Sequence, residues 1–458
     1  MPIIPPGIQI VTPATLSPTT TLHFAQSQPS STDASTVYPR LPIEVCERVI
    51  DAIGVEHTYE SGMNNSETLL ACCLTSRDWF HRASRYLYTE VNLFVNRVGT
   101  FGKQLKGRPN VPDFVKTLII RQHKGQPHRD LSLLPRYFSQ SLPNLTRIEF
   151  HHVDFTVVYP EYSLSLHRFT TVTSAVYYDA IFQSLHQLFR HLDAFSHLNF
   201  LTLARPTFRT LDAENPLSTS LTRGYKHKLH VRTVDLQLSD SNDVHVFELF
   251  LPTFITSLLL YFEEDANKTT GPALSTFLHL ARGTLRQFEF HVFGDTRPHM
   301  PLGESSFALT AFISHSRYSC SVVGISGSLS LRNLRTFKLH IAIPNDTPVV
   351  SESMLTFLND LLSNAQFPVL RTLFIVITSS KAGDFDISDP AHQKAWTALE
   401  TNLSLPRYAT LEHAAVRFFE WNATEQRYHP VQEEVAKAAL PKLITRRNVD
   451  LTPMPFPI

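Results

Sequence analysis

Cysteine is scarce in this 458-residue chain: Cys46, Cys72, Cys73 and Cys320, none of them in a C-x-x-C pair. Adjacent Cys72 and Cys73 cannot both face one metal without an unusual turn. A disulfide scaffold or a zinc ribbon is therefore disfavoured, and the four read as reduced thiols. A surplus of one charge is missing too, since Lys+Arg 41 and Asp+Glu 41 cancel. A dedicated nucleic-acid binder would carry excess Lys and Arg. No apolar run is long enough to cross a bilayer; the longest, residues 250–262, is broken by Pro252 and by Thr and Ser. Residues 1–39 contain no Lys or Arg to open a signal peptide, and Asp33 is their sole acid. A cytoplasmic or nuclear protein without a membrane partner is expected.

Recognisable catalytic patterns are lacking as well. No G-x-x-x-x-G-K-S/T loop occurs, and Gly324-Ile325-Ser326-Gly327 has the wrong glycine spacing for a nucleophile elbow. His151-His152-x-Asp154 contains metal-ligand residue types, but consecutive residues on a strand point to opposite faces. Lys226-His227-Lys228, with Arg223 and Arg232 nearby, reads as a solvated charge run, and Glu263-Glu264-Asp265 as a turn after a strand. The expectation is a non-enzyme with no catalytic residue, no metal and no cofactor.

What is present is aromatic and patterned: 32 Phe, 30 Pro and 22 His against 18% charged residues. Residues 1–37 form a Pro/Ser/Thr-rich leader with too little apolar surface to offset ordering entropy. Order is expected from Tyr38-Pro39-Arg40-Leu41-Pro42, with Pro42 suited to a first helical turn. Val45, Val49, Ile50 and Ile53 then recur at helical spacing. Gly54 to Ser66 reads as a loop, Glu67 to Leu74 as a second helix, and Thr75 or Ser76 as the cap of a third helix running to about Tyr88.

Beyond this segment the hexapeptide apolar-x-x-apolar-x-apolar recurs. Its anchors are Val115/Leu118/Ile120, Leu145/Ile148/Phe150, Leu198/Leu201/Leu203, Val231/Val234/Leu236, Ile255/Leu258/Leu260, Leu285/Phe288/Phe290, Leu334/Phe337/Leu339 and Leu370/Leu373/Ile375. Seven of the eight carry two polar residues in the first gap, where chance gives roughly two or three. Helices are predicted over residues 184–195, 353–365 and 391–403, the last after Asp389-Pro390. Strands alternating with helices at 24 to 53 residues favour parallel strands or an open solenoid.

The stretch Leu41-Pro42-Ile43-Glu44-Val45, through Leu69-Leu70-Ala71-Cys72-Cys73-Leu74-Thr75-Ser76-Arg77-Asp78-Trp79, to Tyr86-Leu87-Tyr88 resembles an F-box. The layout as a whole is similar to the large F-box family of mushroom-forming fungi (basidiomycetes), with a diverged leucine-rich-repeat-like region. The resemblance implies an α/β fold class: an N-terminal three-helix F-box followed by an irregular leucine-rich-repeat-like α/β solenoid with mostly parallel strands. Its expected divisions are a leader at residues 1–37, the box at 38–93, the repeat domain at 94–425, and a C-terminal helix with a Pro-rich tail at 426–458. The Asn that should follow each strand is replaced by His123, Val153, Pro206, Ser239, Glu263, Phe293, Ala342 and Thr378.

By the same resemblance, the module binds the Skp-type adaptor of a cullin–RING (SCF-type) ubiquitin ligase, and the repeats hold an unknown protein target. Leu41, Pro42, Ile43, Val45 and Val49 would supply the first adaptor contact. Leu69, Leu70, Leu74, Trp79 and Leu87 would complete the packed helices and the rest of that surface. The alternatives are an interaction scaffold whose box has drifted out of ligase use, or an enzyme hidden in the α/β region.

Overall fold

A strand whose alternate residues are apolar needs a layer to bury them against, and the hexapeptides supply such strands one after another. The computed structural model describes residues 42–56, 65–123, 130–210, 229–238, 246–247, 249–250, 252–262, 270–293, 331–343, 359, 367–379, 390–422 and 427–430. The expected leader, the C-terminal tail after residue 430, Gly324–Gly327, Lys226–Lys228, Glu263–Asp265 and nearly all of the predicted helix 353–365 lie outside these residues. The chain divides into two compact units between Asn92 and Leu93.

The first unit contains α1 (Ile43–Glu56), α2 (Ser66–Thr75) and α3 (Arg77–Leu87). Ser76 ends α2 and begins α3, where its side chain accepts a hydrogen bond from the Trp79 backbone N–H at 3.2 Å. Gly54 lies inside α1, not at the head of a loop. A Cβ at Gly54 would stand 2.3 Å from the Tyr86 ring, so glycine is what lets α1 and α3 approach this closely.

The second unit is built on a sheet. Its strands are β1 (Glu90–Phe94, which carries the chain across the division), β2 (Thr117–Arg121), β3 (Arg147–His151), β4 (Ser174–Tyr178), β5 (Ile181–Phe182), β6 (Phe200–Ala204), β7 (Thr207–Phe208), β8 (Thr233–Leu238), β9 (Ser257–Phe262), β10 (Gln287–Phe293), β11 (Thr336–Ile343), β12 (Thr372–Ser379), β13 (His413–Asn422) and β14 (Arg427–Pro430). The large sheet has the order β1-β2-β3-β4-β6-β8-β9-β10-β11-β12-β13-β14, and β5 pairs with β7 in a separate two-stranded ribbon. From β2 to β13 every neighbouring pair in the large sheet is parallel.

Parallel neighbours require crossovers, and helices supply many of them. Helix α4 (Val98–Lys106) precedes β2, α5 (Leu134–Phe138) precedes β3, and α6 (Pro160–Ser165) precedes β4. Helices α7 (Leu185–Asp193), α8 (Thr270–Ala281) and α9 (Pro390–Leu403) precede β6, β10 and β13. The predicted helices at 184–195 and 391–403 are α7 and α9. The fold is α/β, with N-terminal helices followed by an irregular leucine-rich-repeat-like solenoid.

All eight predicted hexapeptides enter the sheet, and all twenty-four of their anchor side chains are buried. Pairing puts equivalent anchors side by side: Leu118, Ile148, Ala175, Leu201, Val234, Leu258, Phe288, Phe337, Leu373 and Ala414 occupy one row. Aromatic anchors stack along the rows, Phe150 on Tyr177 at 5.3 Å and Phe288 on Phe337 at 5.6 Å. Burying each such side chain contributes roughly 1.5–3 kcal/mol before ordering entropy is charged against it.

Two features differ from the expectation. The 53-residue interval between anchors at 145 and 198 holds a further strand, β4, anchored by Val172, Ala175 and Tyr177. The sheet also runs past the boundary expected at residue 425, because β14 pairs antiparallel with β13.

In place of an Asn, three successive repeats turn at the residue directly after the strand. His152, Asp179 and Arg205 all have positive φ, 57°, 50° and 51°. Their backbone N–H groups donate to the carbonyls of Tyr178, Ala204 and Gln237 at 2.8 Å, extending the ladder one step beyond the strands. Their side chains meet in a chain centred on Asp179: His152 Nδ1 lies 3.3 Å from Asp179 Oδ2, and Arg205 Nε 2.8 Å from Asp179 Oδ1. A left-handed conformation is costly for such residues, and these contacts hold it in place.

Candidate partner-binding surface

Three short helices enclose little volume, and this module's interior is correspondingly small. Its described core is Ile50, Leu69, Cys72 and Ala83, with Ile53, Cys73, Trp79, Tyr86 and Leu87 packed partly buried around it. Burial pushes the Cys73 thiol pKa upward.

A polar clasp ties α1 to α3. Arg82 Nε donates to Asp51 Oδ1 at 2.8 Å, and Nη1 lies 2.8 Å from Glu47 Oε2. The Tyr86 hydroxyl, reaching past Gly54, donates to Asp51 Oδ1 at 3.0 Å. The Arg82 hydrogen bond holds the Asp51 carboxyl below its usual pKa.

The remaining apolar side chains have no place in so small a core. Ile43, Val45, Val49, Leu70, Leu74 and Phe80 are 44, 41, 52, 54, 82 and 48% exposed. Twelve large hydrophobic residues are exposed among the described residues of the whole chain. These six fall within residues 43–80; of the other six, three lie between Val157 and Leu164, and Phe254, Leu280 and Val369 stand apart. Val45 with Val49, and Leu70 with Leu74, are four residues apart and so share a helix face. Helix α2 is apolar on both sides, Leu69 inward and Leu70 outward, as in a helix that needs a second covering layer.

The residues named from sequence thus separate by environment. Pro42, Ile43, Val45, Val49, Leu70 and Leu74 are exposed; Trp79 and Leu87 are half-buried against the core. Leu69 is wholly buried and belongs to the core that supports the surface. Leu41 lies outside the described residues. Phe80 was missed, although its position one residue after Trp79 in an amphipathic helix was the available signal.

Other sequence candidates resolve differently. His151 and His152 do not converge: His151 Nε2 bonds Glu149 Oε2 at 2.8 Å, while the turn at His152 directs its ring to Asp179. No group of three or more His, Cys, Asp or Glu able to hold a metal occurs among the described residues. No described helix is long and apolar enough to cross a membrane.

No protein-family model matches the sequence, and no curated protein does. Among solved structures, the chain is similar to the leucine-rich repeat-containing protein LegL7 from Legionella pneumophila, with TM-score 0.33, 12% identity, and 71% of this chain and 98% of that one covered. A Bacteroides fragilis protein gives TM-score 0.29 and 11% identity over 79% of this chain and 73% of that one. A chain from the yeast Rad7 and Elc1 complex gives TM-score 0.27 and 13% identity over 82% of this chain and 89% of that one. Likenesses at this level carry no argument about function, and the fold assignment rests on the sheet's own pairing.

Proposed function

We propose that this chain is the substrate-recognition subunit of a cullin–RING (SCF-type) ubiquitin ligase, acting in the cytoplasm or nucleus. The N-terminal module is read as an F-box that binds a Skp-type adaptor and through it a cullin, and the repeats as the part that binds a target protein. The observation that carries the reading is the set of exposed apolar side chains on α1, α2 and α3, in a segment whose sequence follows the F-box motif order. Large apolar side chains left exposed in so small a module are what a protein-interaction site supplies.

In this reading the module does no chemistry. Holding a target lysine beside a ubiquitin-charged enzyme raises its effective concentration, and proximity supplies the rate. The adaptor surface is Pro42, Ile43, Val45, Val49, Leu70 and Leu74, with Leu41 before it and Leu69, Trp79 and Leu87 supporting it.

Co-purification with a Skp-type adaptor tests the proposal. Val49→Asp combined with Leu74→Asp places charge on exposed positions, so the fold should survive while adaptor binding is lost. Equal adaptor recovery by a folded double variant rejects the assignment. So does absence of adaptor and cullin from the purified wild-type chain.

A further inference from the structure

Side chains at the strand positions between the anchors project from the opposite face of the sheet. Glu149, Val176, Thr202, Asp235, Leu259 and Glu289 stand in one row of that face, on β3, β4, β6, β8, β9 and β10. Three of the six are carboxylates, and two of these are neutralised from within. Glu149 holds Arg147 Nε at 2.7 Å and His151 Nε2 at 2.8 Å. Glu289 repeats the arrangement, with Lys338 Nζ at 2.9 Å and His291 Nε2 at 2.9 Å.

Asp235, between them in the row, has no such partner among the described residues. Among the described residues it takes one hydrogen bond, from Thr202 Oγ1 at 3.4 Å, and no cation stands within ion-pair distance. At about 4.8 Å per strand, it sits roughly 14 Å from the Glu149 position and 10 Å from that of Glu289, beyond reach of the cations held there. The side chain is half-buried and flanked on β9 by Leu259 and Tyr261. A carboxylate partly removed from water without a counter-charge is unfavourable, whereas one that meets a cation on binding is not.

We propose that Asp235 anchors a lysine or arginine side chain of a protein segment lying across this face of the sheet. The incoming cation would recreate at Asp235 the arrangement already present at Glu149 and Glu289. The same face already holds a guanidinium over a tyrosine, Arg205 above Tyr178 at 4.7 Å. The proposal deepens, and rests on, the reading of the repeats as the target-holding part.

The test uses the full chain and its Asp235→Asn variant, each panned against a phage-displayed random dodecapeptide library. Wild type is expected to enrich peptides sharing a Lys or Arg. Synthetic copies should lose roughly tenfold or more in affinity for Asp235→Asn, and a similar factor when that basic residue becomes Ala. Asp235→Glu should retain binding, which separates the charge from a structural effect. Enriched peptides with no shared basic residue, acidic peptides, or equal binding to Asp235→Asn overturn the proposal, as does failure to enrich any peptide. No adaptor takes part in the panning, so failure here leaves adaptor co-purification to stand or fall by its own result.

Discussion

Arg82 on α3 grips Asp51 on α1 with two nitrogens, Nε at 2.8 Å from Oδ1 and Nη2 at 2.5 Å from Oδ2. Two parallel bonds to one carboxylate fix the relative rotation of the helices as well as their distance. Because α1 carries Val49 and α3 carries Phe80, both exposed, the clasp sets how these apolar side chains stand relative to one another. Arg82→Met is expected to loosen α1 from α3, seen as faster amide exchange in α1, and, under the proposed function, to weaken adaptor binding although Arg82 is not among the exposed apolar residues. Unchanged exchange in α1 would contradict this.

Gly54→Ala should destabilise the module despite the better helix propensity of alanine. The added methyl meets the Tyr86 ring at 2.3–2.5 Å, and overpacking of this kind costs about 1–3 kcal/mol. Denaturant unfolding followed at Trp79 measures it. Pairing the change with Tyr86→Ala should remove most of the clash penalty, leaving the loss of the ring.

His191 on α7 is buried among aromatic rings, edge-on to Phe155 at 4.6 Å and to Phe182 at 5.7 Å, and its Nδ1 has no hydrogen-bond partner. Burial pushes its pKa down to about 3, below the usual 6.5. A base with a depressed folded pKa stays neutral in the native state while the unfolded chain takes up a proton. Its contribution is whole above pH 6.5 and lost as pH falls towards 3. The slope is about 1.4 kcal/mol per pH unit, so roughly 2 kcal/mol is gone by about pH 5. His191→Phe should flatten the stability profile between about pH 7.5 and 5 by that amount. His340, also pushed down, to about 4, leaves a residual slope of the same sign.

Asp235 behaves oppositely. Burial, and to a lesser degree Glu289, raise its pKa from 3.8 to about 6. A carboxylate with a raised folded pKa stabilises the native state below pH 3.8, and this is lost as pH rises through 6. Asp235→Asn should therefore raise the melting temperature near pH 8 and leave it almost unchanged near pH 3.5. The difference is at most about 3 kcal/mol, since solvent reaches part of the carboxylate. A variant that melts lower than wild type near pH 8 would overturn the unpaired-charge account of this residue.

The strands whose anchors are all Leu, Ile, Val or Phe were legible in the sequence, because that set alone defines the hexapeptide. β4 escaped because Ala175 and Tyr177 stand at two anchor positions, and β13 because Ala414 stands at one. In both, the size of the neighbouring residues in the row decides what fills the layer, and register cannot be read along a single chain. The three helices of the module were visible from their periodicity, whereas the sides taken by Leu69 and Leu70 were not. Gly54 misled for a related reason: glycine punctuates loops, but here it answers a ring on another helix. The distinction of Asp235 from Glu149 and Glu289 was partly legible, since Arg147, His151 and His291 stand two residues from their carboxylates on the same strand and Asp235 has Thr233 and Gln237 there; only Lys338, on the neighbouring strand, was out of reach.

The sheet finishes with a reversal: β14 runs antiparallel to β13, and Pro430 occupies its last position opposite Phe419. Proline offers no amide hydrogen, so a further strand arriving at that margin finds an interrupted template. Among the described residues, parallel stacking thus gives way at this margin to a strand of opposite direction.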